Sequence, residues 1–177
     1  MDKEKEGVAS RIKNRYARYL RNFIFGVEDS LVSTVGLLSG VAVAGTSAKI
    51  IILAGVVLIF VEAFSMGVGS LLSENVAREF KKGGEVSMRR SVVPSLIMFL
   101  SYFVAGFIPL SPYIFFEVQI AFWLSIGLAL TSLFILGIVS ARVSNTGMIR
   151  HGFEMLLIGG TAIGLGVIVG VFVSSMG

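Results

Sequence analysis

FIFGVEDSLVSTVGLLSGVAVA, residues Phe23–Ala44, sets how every other segment of this chain is read. A helix that crosses a bilayer needs about 20 mostly apolar residues, and this run supplies them with only two charges, the adjacent acids Glu28 and Asp29. Ala42-Val43-Ala44 before Gly45 has the small-residue look of a signal cleavage site. A signal peptide, however, has an apolar region of only about 7–15 residues. This run is longer, carries two acids and follows a long basic arm, so an uncleaved span is expected.

Working outward, four further windows have the length and apolarity of spans: Ile50–Leu72, Val92–Leu110, Phe122–Ala141 and Phe153–Val173. Composition agrees, with 55% hydrophobic residues, 15% charged residues and a mean hydropathy of +0.88, where soluble domains carry about 25% charge. The expected fold is all-α: a polytopic membrane protein of five transmembrane helices, with residues 1–22 a basic arm and residues 23–177 the membrane domain. The absence of cysteine excludes disulfides, thiolate metal sites and cysteine nucleophiles.

The basic excess is segregated. Seven Lys and Arg residues precede the first span, five lie between Ser73 and Ser91, and Arg142 and Arg150 flank the fourth link, whereas Lys49 stands alone on the opposite side. By the positive-inside rule the N-terminus is cytoplasmic and the C-terminus lies across the membrane. The net charge of +4 therefore records orientation and not nucleic-acid binding. Residues 10–21 read either as a basic helix lying along the headgroups or as a solvated tail.

An ionised carboxylate inside a span costs roughly 2.5–3.5 kcal/mol on insertion scales and is seldom kept without a use. At about 1.5 Å per residue, Asp29 lies roughly 9 Å inside the first span. Met66 lies equally deep in the second, and Glu62 lies one turn deeper. The short link between these spans favours their packing as neighbours, which would gather the three side chains. Asp29, Ser33, Gly36 and Gly40 share one helix face, suited to close packing or to a polar path. Glu28 points about 100° away and is the weaker candidate, able to snorkel or to pair with Arg21. The bland alternative is a set of protonated acids hydrogen-bonded between helices. Carboxylate oxygens suit magnesium, calcium or manganese, and an added thioether favours a softer ion such as ferrous iron. A carboxylate can also exchange a proton for a metal ion.

The segments Phe25–Leu37 and Glu62–Gly69, the latter with Ser65-Met66 followed by Gly69, resemble the first two helices of the vacuolar iron transporter family. Five spans with a cytoplasmic N-terminus are also similar to that family. The resemblance implies proton-coupled export of ferrous iron or a related divalent metal by a homodimer with its pathway at the subunit interface. It makes Asp29 and Met66 translocation ligands, and the metal and protons are cargo, with no resident cofactor.

Two departures are visible. Eukaryotic members carry an acid two turns before the methionine, where this chain has Leu58; Glu62, one turn before, is expected to replace it. The glutamate-rich domain those members insert after the second helix is reduced here to Ser73–Ser91, with Glu74 as an entrance charge. The candidate metal set is thus Asp29, Glu62, Met66, Glu28 and Glu74. The compact form looks prokaryotic and implies the cell (inner) membrane, with lipids and a second copy of the chain as partners.

Enzymatic readings fare poorly. An intramembrane aspartyl protease needs two membrane aspartates, a zinc protease needs paired histidines where only His151 exists, and Leu37-Leu38-Ser39-Gly40 fails a rhomboid-type serine motif. A manganese transporter of the same architecture and a non-transporting membrane scaffold are the remaining alternatives.

Overall fold

The computed structural model describes residues 2–144 and 146–176, with side chains from residue 15 on. The expected charges at Lys3, Lys5, Arg11 and Lys13 lie outside the described side chains. Six helices follow in order: α1 (Asp2–Val43), α2 (Ala48–Lys82), α3 (Arg89–Leu110), the single turn α4 (Pro112–Phe115), α5 (Val118–Ser144) and α6 (Met148–Ser174). Five are long and apolar enough to cross a membrane, so the chain is an all-helical, multi-pass membrane protein.

Each span is longer than its hydropathic window because polar sequence continues the helix. α1 runs without a break from the basic arm into the span, and α2 continues ten residues past Leu72 to Lys82. It stops where Gly83 takes a left-handed conformation (φ 70°) and donates its N–H to Glu79 O, the usual glycine solution to a helix C-terminus. Residues 73–82 are therefore helix, and the true link to α3 is only residues 83–88.

The packing order departs from the sequence expectation. α1 packs chiefly against α3 and α6, α2 packs chiefly against α3, and α5 against α6; the α1–α2 contact is slight. The short link of residues 44–47 makes α1 and α2 successive but not close-packed, because α3 takes up most of the buried face of α2 and shares that of α1 with α6. α1 and α3 bury the largest shares of their spans and α6 the smallest.

Small residues let α1 meet α6. A Cβ on Gly36 would lie 3.2 Å from Ala162 O, and one on Gly40 would lie 2.5 Å from Gly166 O. Seen from α6, Cβ atoms on Gly166 and Gly170 would collide with the Gly36 and Gly40 backbones. This is the small-residue helix crossing favoured in bilayers, where dispersion and close approach replace hydrophobic association. Gly160 and Gly164, by contrast, face open space. Leu38, Ile51, Ile59, Leu110 and Tyr113 fill the core near the α1–α2 link. Leu31, Ala105 and Leu133 form a second cluster between α1, α3 and α5. Large apolar side chains such as Leu53, Phe60, Phe64 and Leu72 of α2 remain exposed, a surface suited to lipid and not to water.

Candidate metal pathway

The depth of every candidate side chain follows from one buried amide. Asn22 of α1 donates through Nδ2 to Ser70 Oγ on α2 (3.0 Å) and to Pro94 O on α3 (2.9 Å). An amide buried in this way must be hydrogen-bonded, so it fixes the register of three helices at once. α1 and α2 run in opposite directions. Seven residues beyond Asn22 stands Asp29, and seven residues back from Ser70 stands Ala63. Asp29 and Glu62 therefore share a depth to within about one residue rise, ~1.5 Å. The same step along α3, which runs with α1, reaches Ser101 beside Tyr102.

Asp29, Glu62 and Tyr102 thus occupy one layer, each from a different helix, and the two carboxylates lie within electrostatic reach of each other and of the tyrosine hydroxyl. Tyr102 is fully buried. Its hydroxyl shares a 2.7 Å hydrogen bond with Ser33 Oγ, and its carbonyl accepts from Ser30 Oγ at 2.6 Å. Ser30 and Ser33, three apart on α1, clamp this residue from both ends. Tyr102 did not emerge from the sequence reading. The signal was available, because a tyrosine in an apolar span must find a partner for its hydroxyl, but the partner could not be named without the register.

Met66 belongs to a different layer. Counting four residues from Asn22 and from Ser70 places it level with Gly26, about 4.5 Å from the Asp29 layer toward the Asn22 end. The expected order is thereby corrected: Glu62, not Met66, is level with Asp29. Depth counted from hydropathic boundaries misleads here, because α2 has no boundary at Leu72. Met66 lines a cavity of about 510 Å³ between α1 and α2 with Asn22, Phe25, Ser65, Ser70 and Met98. Met98 stands at the same depth on α3 and is buried. One turn of helix therefore separates a layer of oxygen donors from a cavity with two thioethers, which differ in the ions they suit.

Glu28 is within electrostatic reach of its neighbour Asp29 but opens to a different groove, and Glu74 sits well apart. Glu28 lines a groove between α1 and α5 with Arg21 and Ser140. Arg21 itself reaches Glu74, its NH2 lying 3.4 Å from the carboxylate. Glu74 is twelve residues from Glu62 on α2, about 18 Å along the axis. It is buried and also meets Arg18 at 3.2 Å and Arg78 at 3.5 Å. Both of its oxygens are thus engaged by guanidinium groups. His151 pairs with Glu154 one turn on, at 2.8 Å. Among the described residues no group of three or more His, Asp or Glu side chains comes together as a metal site; Asp29 and Glu62 share a depth and electrostatic reach.

A model of the VIT family matches residues 20–93 and 79–171, which takes in all five spans and every candidate ligand. An uncharacterised protein of Methanocaldococcus jannaschii is 26% identical over 154 aligned residues, covering 77% of this chain and 80% of that protein.

Proposed function

The chain belongs to the VIT family, and from that premise we propose that it exports ferrous iron or a related divalent transition metal from the cytoplasm in exchange for protons. Membership suggests membrane metal transport; the ion, the direction and the coupling are our reading. The observation that carries it is the common depth of Asp29 and Glu62 on helices locked in register by Asn22. Like charges at one depth in a low-dielectric span repel each other. A divalent cation between them relieves the repulsion, and so does a proton. Occupancy by one excludes the other, which is the minimum chemistry of antiport.

Two carboxylates fall short of a full coordination shell. We infer a homodimer in the cell membrane, with a two-fold axis doubling Asp29, Glu62 and Met66 around a shared path. Met66 and Met98 form an antechamber at the basic, cytoplasmic end, where a thioether favours iron over harder ions.

Manganese is the second reading, favoured because the layer shared by Asp29 and Glu62 is all oxygen while the thioether lies a turn away. The test is flux into liposomes loaded with a metal-sensitive dye and carrying a pH gradient. Wild-type flux that collapses on removing the gradient, and in Asp29→Ala, supports the exporter. Absence of flux in wild type leaves a membrane scaffold, and full flux in both Asp29→Ala and Met66→Ala removes these two residues from the pathway. Retained manganese flux with lost iron flux in Met66→Ala assigns the iron preference to the thioether.

A further inference from the structure

The basic end of the bundle holds more than a scatter of topological charges. Seven cationic side chains line one cavity of about 670 Å³: Arg15 and Arg18 from α1, Arg78, Lys81 and Lys82 from α2, and Arg89 and Arg90 from α3. Three helices bring them together, and the scaffold behind them is fixed. Glu74 ties Arg18 to Arg78. Arg78 NH2 in turn donates to Arg90 O at 2.8 Å, joining α2 to the start of α3. Glu74 is the one carboxylate paired with any of the seven among the described residues.

The backbone adds to the same field. α3 starts at Arg89 with no acidic residue in its first turn and no side-chain cap. The positive end of its dipole therefore lies where two arginines already stand, the reverse of the favourable arrangement, although the Ser91 N–H is taken by Met88 O. Arginine clusters and a free helix N-terminus each suit phosphate. The remaining walls are Tyr19, Val86 and Val93, and Val93 lies on the exposed side of a membrane span.

We propose that this cavity binds a phosphate-bearing anion, and that its source is the headgroup of an acidic phospholipid whose chains lie along α3 beyond Val93. Confinement of so many like charges with one internal counter-ion costs energy that a phosphate offsets. The apolar wall on the membrane side distinguishes a lipid from a soluble phosphate. On the reading of the chain as a metal exporter, the bound anion also screens a field that would otherwise repel a divalent cation approaching the Met66 cavity.

The test is lipid retention by the full chain in phosphatidylcholine nanodiscs containing phosphatidylglycerol, read by native mass spectrometry without metal. Its outcome is thus separate from that of any flux assay. Lys82→Gln with Arg89→Gln removes two cavity charges; Arg142→Gln with Arg150→Gln removes two outside it. Each charge near an anionic surface is worth about a five-fold change in binding. The first pair is expected to lower phosphatidylglycerol retention by more than ten-fold, the second by less than two-fold, and Lys82→Arg with Arg89→Lys to restore it. Equal losses from the two pairs, or no preference for phosphatidylglycerol over phosphatidylcholine in wild type, overturns the site. Displacement of the lipid by inorganic phosphate and by glycerol phosphate at equal concentration overturns the lipid as its source.

Discussion

At the scale of single residues, the layer of Asp29, Glu62 and Tyr102 makes distinct demands on each member. Tyr102→Phe keeps the ring in its buried slot and deletes the hydroxyl, leaving Ser33 Oγ without that partner. The expected cost in stability is about 1 kcal/mol. The hydroxyl is within electrostatic reach of Asp29 and Glu62, and its removal is expected to lower metal affinity by about 10-fold, as loss of a polar group beside the ligands does. Isothermal titration with ferrous iron and with manganese checks it. If affinity is unchanged while stability falls, Tyr102 is a packing residue only. Asn22→Leu acts on a broader front, because a single amide holds α2 and α3 against α1. A loss of about 1–3 kcal/mol is expected for stranding buried partners, with Asp29 and Glu62 no longer held level. Thermal unfolding in detergent, together with flux, reads both parts.

At the scale of elements, the glycine seam between α1 and α6 and the ion cluster at Glu74 are opposite kinds of joint. Gly166→Val drives a side chain into the Gly36 backbone and is expected to cost about 1–3 kcal/mol or more, since neither helix can yield locally. Gly160→Ala, which meets open space, is the neutral control; equal destabilisation by the two would remove the seam from the account. Glu74→Gln leaves three arginines with no anion. Loss of one partner of a fully buried pair costs about 3–5 kcal/mol. Arg21 is mostly exposed and Arg18 partly so, hence a smaller loss of about 2 kcal/mol is expected, measurable by the same unfolding assay.

The five spans were legible because hydropathy over some twenty residues survives any detail of packing. Depth was less legible. It was counted from window edges, and α2 has no edge at Leu72: the polar residues Ser73 to Lys82 carry the same helix onward. Neighbour relations were least legible of all. A short link constrains the ends of α1 and α2 but says nothing of α3, which meets α1 through Pro94 and Tyr102 and α2 through Phe99, Phe103 and Gly106. Glu74 reads from sequence as an entrance charge because it lies in the stretch that stands in for the family's glutamate-rich domain. Its partners Arg18 and Arg21 stand more than fifty residues away.

At the scale of the whole molecule, five spans predict termini on opposite sides of the bilayer, and the lysine and arginine distribution predicts the N-terminal side as cytoplasmic. The cysteine-free sequence makes this simple to measure. Single substitutions Ser87→Cys and Ser175→Cys are expected to differ in intact cells: an impermeant thiol reagent labels Cys at 175 and leaves Cys at 87 unlabelled until the membrane is permeabilised. The reverse pattern inverts the proposed direction of transport.

The crossing of α1 and α6 at Gly40 and Gly166 also has a mechanical meaning. Backbone rests on backbone there, with no rotamers to absorb movement, so the crossing is a stiff fixed point on α1. Asp29 is eleven residues from it, about 16 Å along α1, and Arg18 is twenty-two residues away, about 33 Å. Any tilt of α1 about that fulcrum moves the arginine end twice as far as the carboxylate. The bonds of Asn22 to α2 and α3, eighteen residues from the crossing, therefore resist such a tilt with a longer lever than the Asp29 layer has.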